Sequence, residues 1–251
     1  MRDILLHIGP LKIYSYGLFV FLGVLISYFV FRALLGGKGL KVKTIENIFL
    51  SSLLGGFIFS RILYISINFK DFLEDPWVFV FSRSGFVFYG GLIGGILGMF
   101  LYCRMRGLDS LEVLDTGAVG LSIGHSLGRI GCFLHGCCFG RPTQGWWGVE
   151  FPLNSPAGFY FPHQKIIPTQ IISSLFLFLL FLFLLSFYKR RRFKGQVFSY
   201  YLILYPGFRF FIEFLRADPR PFIGPFSIFQ LVSLPFIFVG IFFYLRLKFS
   251  T

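Results

Sequence analysis

Residues 128–143 read Gly-Arg-Ile-Gly-Cys-Phe-Leu-His-Gly-Cys-Cys-Phe-Gly-Arg-Pro-Thr. Two arginines, Arg129 and Arg141, bracket a glycine-rich bend in a chain that is apolar almost end to end. Arginine is costly in lipid, and its planar fork of donors matches a phosphate. The pairing points to a site that handles a phosphate-bearing lipid headgroup. Gly128 and Gly131 would let another backbone or a ligand approach the Arg129 guanidinium closely. The structural alternative is an arginine that snorkels to the interface or is held by a carboxylate.

A second constellation lies at Tyr205-Pro206-Gly207-Phe208-Arg209-Phe210-Phe211-Ile212-Glu213-Phe214-Leu215-Arg216. Arg209, Glu213 and Arg216 stand at i, i+4 and i+7, one stripe of a helix, with Tyr205 a turn earlier. A polar stripe in an aromatic helix must face the interior or a wet cavity. Glu213 would neutralise one arginine and leave the other for an anion; the alternative is a structural ion-pair ladder. Arg61, in Phe59-Ser60-Arg61-Ile62, is a third arginine at membrane depth, for which Glu112 or Asp115 is an alternative partner. In Tyr89-Gly90-Gly91-Leu92-Ile93-Gly94-Gly95, Gly91 and Gly95 form a small-xxx-small packing face. Tyr89 is then an interfacial anchor, or else a hydroxyl at the head of the site. Cys132, His135, Cys137 and Cys138 invite a zinc reading. Their spacing is not that of the common zinc modules, and adjacent cysteines chelate poorly together, so no metal and no other cofactor is expected.

The elements that must position these residues follow from composition. The chain has 251 residues, 55% hydrophobic and 14% charged, with a mean hydropathy of +0.74. A soluble domain carries about 25% charged residues. The expected fold is an all-α polytopic membrane protein with transmembrane helices at roughly 12–34, 46–67, 85–103, 110–132, 167–187, 197–215 and 227–246, seven in all. The fourth holds Glu112, Asp115 and His125 among small residues and belongs inside the bundle. The net charge of +13 sits in short loops, so it reads as topology and attraction to anionic headgroups rather than nucleic-acid binding. Basic residues cluster at 32–43, 104–106, 189–194 and 246–248, which puts those segments and the C-terminus in the cytoplasm and the N-terminus outside. Residues 1–251 read as a single integral-membrane domain. The first ten residues lack the run of a secretory signal, and the helix that follows shows no cleavage site. The long connection at about 133–166, with Trp146, Trp147, Phe159, Tyr160 and several prolines, reads as an outer-face segment in the headgroup zone.

The motif Gly128-Arg129-Ile130-Gly131-Cys132-Phe133 with Gly140-Arg141 resembles the signature of the prolipoprotein diacylglyceryl transferases. The likeness continues through Tyr14-Ser15-Tyr16-Gly17-Leu18, Ser60-Arg61-Ile62, Tyr89 to Gly94, Pro168-Thr169-Gln170, Tyr205 to Arg216 and Gln230 to Pro235, so it covers nearly the whole chain in order. The resemblance implies a bacterial inner-membrane enzyme with its active site toward the outer face. Such an enzyme moves the sn-1,2-diacylglyceryl group of phosphatidylglycerol to the lipobox cysteine thiol of a preprolipoprotein. Glycerol 1-phosphate leaves, and signal peptidase II acts afterwards. The implied partners are phosphatidylglycerol, preprolipoprotein signal peptides and membrane lipids.

By match to the motifs, Arg129 and Arg209 stabilise the departing phosphate, Glu213 orients Arg209, and Tyr16 and Tyr205 hydrogen-bond the headgroup. Arg61, Gly90, Gly91 and Arg216 fall with the substrate-binding positions, as do Cys132, His135 and Gly140. The chain departs from the family where a histidine usually precedes Gly-Gly-Leu-Ile-Gly; Tyr89 stands there. Cys132, His135 and Cys137 replace Asn, Asn and Glu, and Ile167-Pro168 replaces His-Pro. The general base is therefore open between Tyr89, His135 and a thiolate formed by local arginines alone. Two other classes compete. An anion transporter would need an inverted repeat and broken helices at the midplane, and the sequence has no repeat. A non-catalytic scaffold would leave the Tyr205-Arg209-Glu213 stripe unexplained.

Overall fold

In a bilayer the backbone must satisfy its own hydrogen bonds, so long apolar runs fold as helices. The computed structural model describes residues 4–8, 11–81 and 87–250. A hairpin of β1 (Ile4–Ile8) and β2 (Leu11–Tyr14) leads into α1 (Ser15–Gly36). Then come α2 (Val42–Ile67), the short α3 (Phe69–Glu74) and α4 (Pro76–Phe81), α5 (Phe88–Met105) and α6 (Ser110–His135). The connection after α6 carries β3 (Val149–Glu150), α7 (Pro156–Tyr160) and β4 (Lys165–Ile166). α8 (Thr169–Arg190), α9 (Gln196–Ile212), the hairpin β5 (Phe222–Ile223) and β6 (Phe226–Ser227), and α10 (Ile228–Ser250) complete the chain.

The long helices coincide with the spans expected from sequence to within a few residues. Helices α1, α2, α8 and α10 are long and apolar enough to cross a membrane, and α5 adds a shorter apolar helix. The chain is a mostly helical, multi-pass membrane protein. Among the edges that differ by three or four residues, three bear on the site and its surroundings. The β1–β2 hairpin delays α1 to Ser15, α6 runs on to His135 so that Cys132 lies within it, and α9 stops at Ile212. The last difference matters for the site.

The chain divides into two compact units, Met1–Phe31 with Asp115–Thr251, and Arg32–Leu114. The second unit is built on α2 against α5. A Cβ on Gly94 would stand 2.2 Å from the Gly55 carbonyl oxygen, and one on Gly98 2.3 Å from that of Ser51. The tight seam is thus Gly90, Gly94 and Gly98, one residue away from the expected Gly91 and Gly95, whose neighbours lie at 3.3 Å or more. Without a hydrophobic force between helices in lipid, close backbone packing of this kind supplies the cohesion. Ser60 adds a hydrogen bond from Oγ to the Val87 carbonyl, 2.9 Å.

In the first unit α6 is lined with small and polar residues that meet its neighbours. Ser27 of α1 donates to the Gly120 carbonyl at 2.7 Å. Ser126 and Ser174 exchange hydrogen bonds between α6 and α8 at 2.8 and 3.0 Å. Asp115, fully buried, accepts from the backbone N–H of Gly195 and Phe198 at 2.9 and 2.8 Å. Its carboxylate so caps the N-terminus of α9, where unsatisfied donors and the helix dipole favour an anion. Arg191 pairs with the same carboxylate at 3.3 Å.

The 139–166 stretch has a small core of its own: Phe139, Phe151, Ala157 and Ile166, with Phe133, Val149 and Phe161 against it. Trp146 and Phe159 remain exposed on this folded segment.

Gly94→Ala is expected to destabilise the protein by about 1–3 kcal/mol, the usual cost of overpacking. Gly117→Ala, where a Cβ meets nothing within 4 Å, should be neutral or stabilising. Thermal unfolding of both variants in detergent checks this; equal midpoints would mean that the α2–α5 seam does not bear on stability.

Candidate active site

Arg129 sits on α6 with His125 one turn before it and Cys132 one turn after. From α9, Tyr201, Tyr205 and Arg209 recur at the spacing of one helical turn on a face that is buried throughout. The helix continues through Pro206, so the stripe expected from Tyr205 to Arg209 holds. The His125 and Tyr205 rings meet edge to face at 5.0 Å, and Tyr201 stacks on Tyr205 at 5.6 Å. Tyr205 also lies close to the Arg129 guanidinium. Among the described residues the Arg129 Nε, the Gln170 Oε1 and the Tyr201 hydroxyl are buried polar atoms that lack a hydrogen-bond partner. Such atoms cost free energy unless something satisfies them.

Arg216 does not continue the stripe. A 3-10 turn at Glu213–Leu215 follows α9, and Arg216 adopts an extended backbone. It pairs as a short bridge with Gly140, while Arg141 N–H donates to the Leu215 carbonyl at 2.9 Å and Ala217 N–H to that of Phe139 at 3.1 Å. Gly140 is required there, because a Cβ would stand 2.5 Å from the Ile167 carbonyl oxygen. The signature loop is thereby stitched to the arginine segment through its backbone.

The result is a network rather than a ladder. Glu213, buried, pairs with both Arg209 and Arg220. Arg216 lies 3.9 Å from the same carboxylate and makes a two-bond fork with Asp218 at 2.9 and 2.7 Å. Arg220 also binds Asp218 at 2.5 Å. The Arg209 guanidinium lies over the Phe229 ring at 5.0 Å. Three guanidiniums share two carboxylates, so the network carries excess positive charge, to which Arg129 adds. Sequence reasoning misses Arg220 and Asp218; their nearness to Glu213 depends on the turn after α9.

The cysteines gather beside this network. Gly136, with φ +81°, ends α6. Cys137 N–H reaches back to the Cys132 carbonyl at 3.1 Å and Gly136 N–H to that of Phe133 at 3.2 Å, a left-handed glycine cap. Cys138 then takes φ +60°. Gln170 donates to the Cys137 carbonyl at 2.7 Å and Thr169 to that of Cys138 at 2.8 Å. The sulfurs of Cys132, Cys137 and Cys138 lie within 4.8 Å of one another. Hydrogen bonds from Cys132 and Cys137 hold the Cys138 thiol well below its ordinary range against the effect of burial, and Arg216 and Arg129 act in the same direction.

These features resemble known proteins along the whole chain. The profile of the prolipoprotein diacylglyceryl transferase family matches residues 3–246. The chain belongs to that family. It is 38% identical over 242 residues, 96% of both chains, to the phosphatidylglycerol–prolipoprotein diacylglyceryl transferase of Clostridium tetani. Likeness to an enzyme of that name numbered 2 in Clostridium perfringens is 38% over 96% of this chain and 93% of the relative. The like-named protein of Vibrio parahaemolyticus is 32% identical over 95% of this chain and 88% of its own. Membership makes the chain a transferase.

The residues that the family motifs mark divide between the two units. Tyr16, Arg129, Cys132, His135, Gly140, Tyr205, Arg209, Glu213 and Arg216 belong to the first. Tyr16 opens α1, half exposed, with its ring centroid 6.3 Å from that of His135. Arg61, Gly90 and Gly91 belong to the second. There Arg61 donates to the Val80 carbonyl at 3.0 Å, and Gly90 faces α2, where a Cβ would stand 2.6 Å from the Phe59 carbonyl oxygen. The Tyr89 side chain lies outside the described residues. The bracketing arginines are unequal: Arg141 is exposed, whereas Arg129 is partly buried.

Glu213→Gln should strand Arg209 and Arg220 without their shared counter-charge, a loss of about 3–5 kcal/mol for a broken buried pair. Asp218 is more exposed, so Asp218→Asn is expected to cost less. Unfolding midpoints of the two variants in detergent measure the order; a larger loss for Asp218→Asn would move the centre of the network.

Proposed function

We propose that the chain transfers the diacylglyceryl group of phosphatidylglycerol to the lipobox cysteine thiol of a preprolipoprotein and releases glycerol 1-phosphate. One observation carries the reading: a partly buried arginine with an unsatisfied Nε stands beside a cluster in which guanidiniums outnumber carboxylates. Departure of a phosphate monoester concentrates negative charge, and preorganised guanidiniums in a dry site stabilise it. Arg129 and Arg209 take that role. Glu213 orients Arg209, Tyr205 and Tyr16 hold the headgroup, and Cys132, His135, Gly140 and Arg216 line the substrate. Tyr89, Arg61, Gly90 and Gly91 keep the roles that their motifs imply, with Tyr89 and His135 as candidate bases. The relatives' names, which join phosphatidylglycerol to prolipoprotein, support the substrates.

The whole chain acts as one domain of the bacterial inner membrane with seven spans, N-terminus outside, C-terminus in the cytoplasm and the site toward the outer face. The basic run from Lys189 to Lys194 supports that orientation. The exposed aromatics of 133–166 support a place in the outer headgroup zone.

Purified protein incubated with phosphatidylglycerol and a lipobox peptide should yield a peptide heavier by one diacylglyceryl group in mass spectrometry. Arg129→Lys keeps the charge but not the planar fork, and should lower transfer by roughly 10²-fold or more, as loss of one transition-state donor does. No mass gain by wild-type protein would refute the reading; full activity of the lysine variant would refute the role of Arg129.

A reporter cysteine tests orientation. Arg191 is ion-paired and buried, so exposed Arg190 is the better place. Arg190→Cys is expected to react with a membrane-impermeant thiol reagent only once the inner face is opened. Labelling in intact cells would reverse the topology.

A further inference from the structure

Sequence spacing argues against a metal at the cysteines because it is not that of the common zinc modules and adjacent cysteines chelate poorly together. The structure removes that objection. The left-handed turn at Gly136 and the left-handed Cys138 fold the loop back, and three sulfurs that sequence keeps apart come within 4.8 Å of one another. Thiolates bound to one zinc-class ion at ~2.3 Å stand ~3.8 Å apart in a tetrahedron, so a shift of a few tenths of an ångström per sulfur would close the site. A non-glycine residue with positive φ costs about 1–3 kcal/mol and persists where surrounding contacts over-determine it. Here Gln170 and Thr169 grip the carbonyls of Cys137 and Cys138. The loop is thus held in the conformation that gathers the sulfurs.

We propose that Cys132, Cys137 and Cys138 form a three-thiolate site for one thiophilic cation of the zinc class, with a fourth position open to the thiol of the incoming peptide. Sulfur ligands select zinc-like or cuprous ions over magnesium and calcium. Three protein ligands with one open position is the arrangement of catalytic rather than structural zinc. Three thiolates around a divalent ion leave one negative charge. Arg129, one helical turn from Cys132, and Arg216, bridged to Gly140 two residues beyond Cys138, offset it. The inference rests on the transferase reading. A peptide thiol at the fourth position would give its proton to solvent, since a thiol bound to such an ion is deprotonated. Its sulfur lone pair forms the C–S bond to the glyceryl carbon as the C–O bond breaks, and that bond's electron pair leaves on the phosphate oxygen. No oxidant or reductant is needed. The step also supplies thiolate in a chain where Tyr89 stands in place of the usual histidine.

The test uses the full-length protein in detergent, reduced and stripped of metal, titrated with Co²⁺. Thiolate-to-cobalt absorption should saturate at one equivalent and be displaced by Zn²⁺. Cys137→Ser and Cys138→Ser should weaken binding by more than the ~10–100-fold that loss of a supporting residue costs, whereas Cys103→Ser should leave it unchanged. A Cys-containing lipobox peptide should alter the cobalt spectrum and its Ser analogue should not. Wild-type protein with reactive thiols but no cobalt band would overturn the site, whether or not the variants fold. A band unmoved by the Cys peptide would overturn the open position. Transfer is measured in parallel. Full activity of metal-free protein would overturn the metal's role while upholding the transferase reading. A cobalt-loaded protein that takes the peptide thiol but transfers nothing would uphold the site and overturn that reading.

Discussion

Burying a carboxylate is expensive, and Glu213 is buried at the foot of α9. The cost is offset only because Arg209 and Arg220 hold it from two sides and Asp218 takes the remaining donors of Arg216 and Arg220. That arrangement constrains much of its surroundings. Arg209 must come from the last turn of α9, so the helix has to end at Ile212 for the chain to bend and return Arg216 and Arg220 to the same carboxylate. The returning strand then needs a partner for its backbone, and the signature loop provides one at Gly140. Removing the carboxylate would set like charges against one another in a dry place, which is why the network reads as one unit and not as separable pairs.

The loop after α6 solves a related problem by different means. It must turn sharply at the end of a helix, pair with Arg216 on one side and meet α8 on the other. Left-handed backbone at Gly136 and Cys138 makes the turn. The side chains of Thr169 and Gln170 then satisfy the carbonyls that the turn exposes. Behind it, the Phe139–Ile166 core ties the connection down. A connection of this length would otherwise carry a large ordering entropy. With its own core and backbone partners it can hold the cysteines beside the arginines.

What is legible in the sequence is whatever depends on one period. Among the described residues the long helices lie where the apolar runs place them, and Tyr205 with Arg209 keeps its face because both stand within one helix. Features set by another segment are less legible. Two glycine stripes on α5 both have four-residue spacing, and only Gly55 and Ser51 on α2 decide that Gly90, Gly94 and Gly98 make the tight seam; the third glycine of that stripe is the available clue. Arg216 reads as helical because nothing local stops α9 at Ile212. The partners of Asp115 lie beyond any local reading. Its carboxylate matches any buried arginine until the bend at Gly195 places the first N–H groups of α9 over it. Spacing alone misjudges the cysteines, since a non-glycine residue with positive φ has no reliable sequence signal.

The charge balance of the site bears on the proposed reaction. Four guanidiniums, from Arg129, Arg209, Arg216 and Arg220, stand with two carboxylates, Glu213 and Asp218. A lipid phosphodiester carries a single negative charge, whereas a released monoester approaches two near neutral pH, since its second pKa is about 6. In the proposed reaction the excess of positive charge would therefore grow more favourable as the C–O bond breaks, which is the differential that accelerates a reaction rather than tightening substrate binding. Without the carboxylates the same guanidiniums would hold the product phosphate harder and delay its release. Glu213 and Asp218 thus keep three arginines in place, and in the proposed reaction they would also set how strongly the cluster holds the departing phosphate.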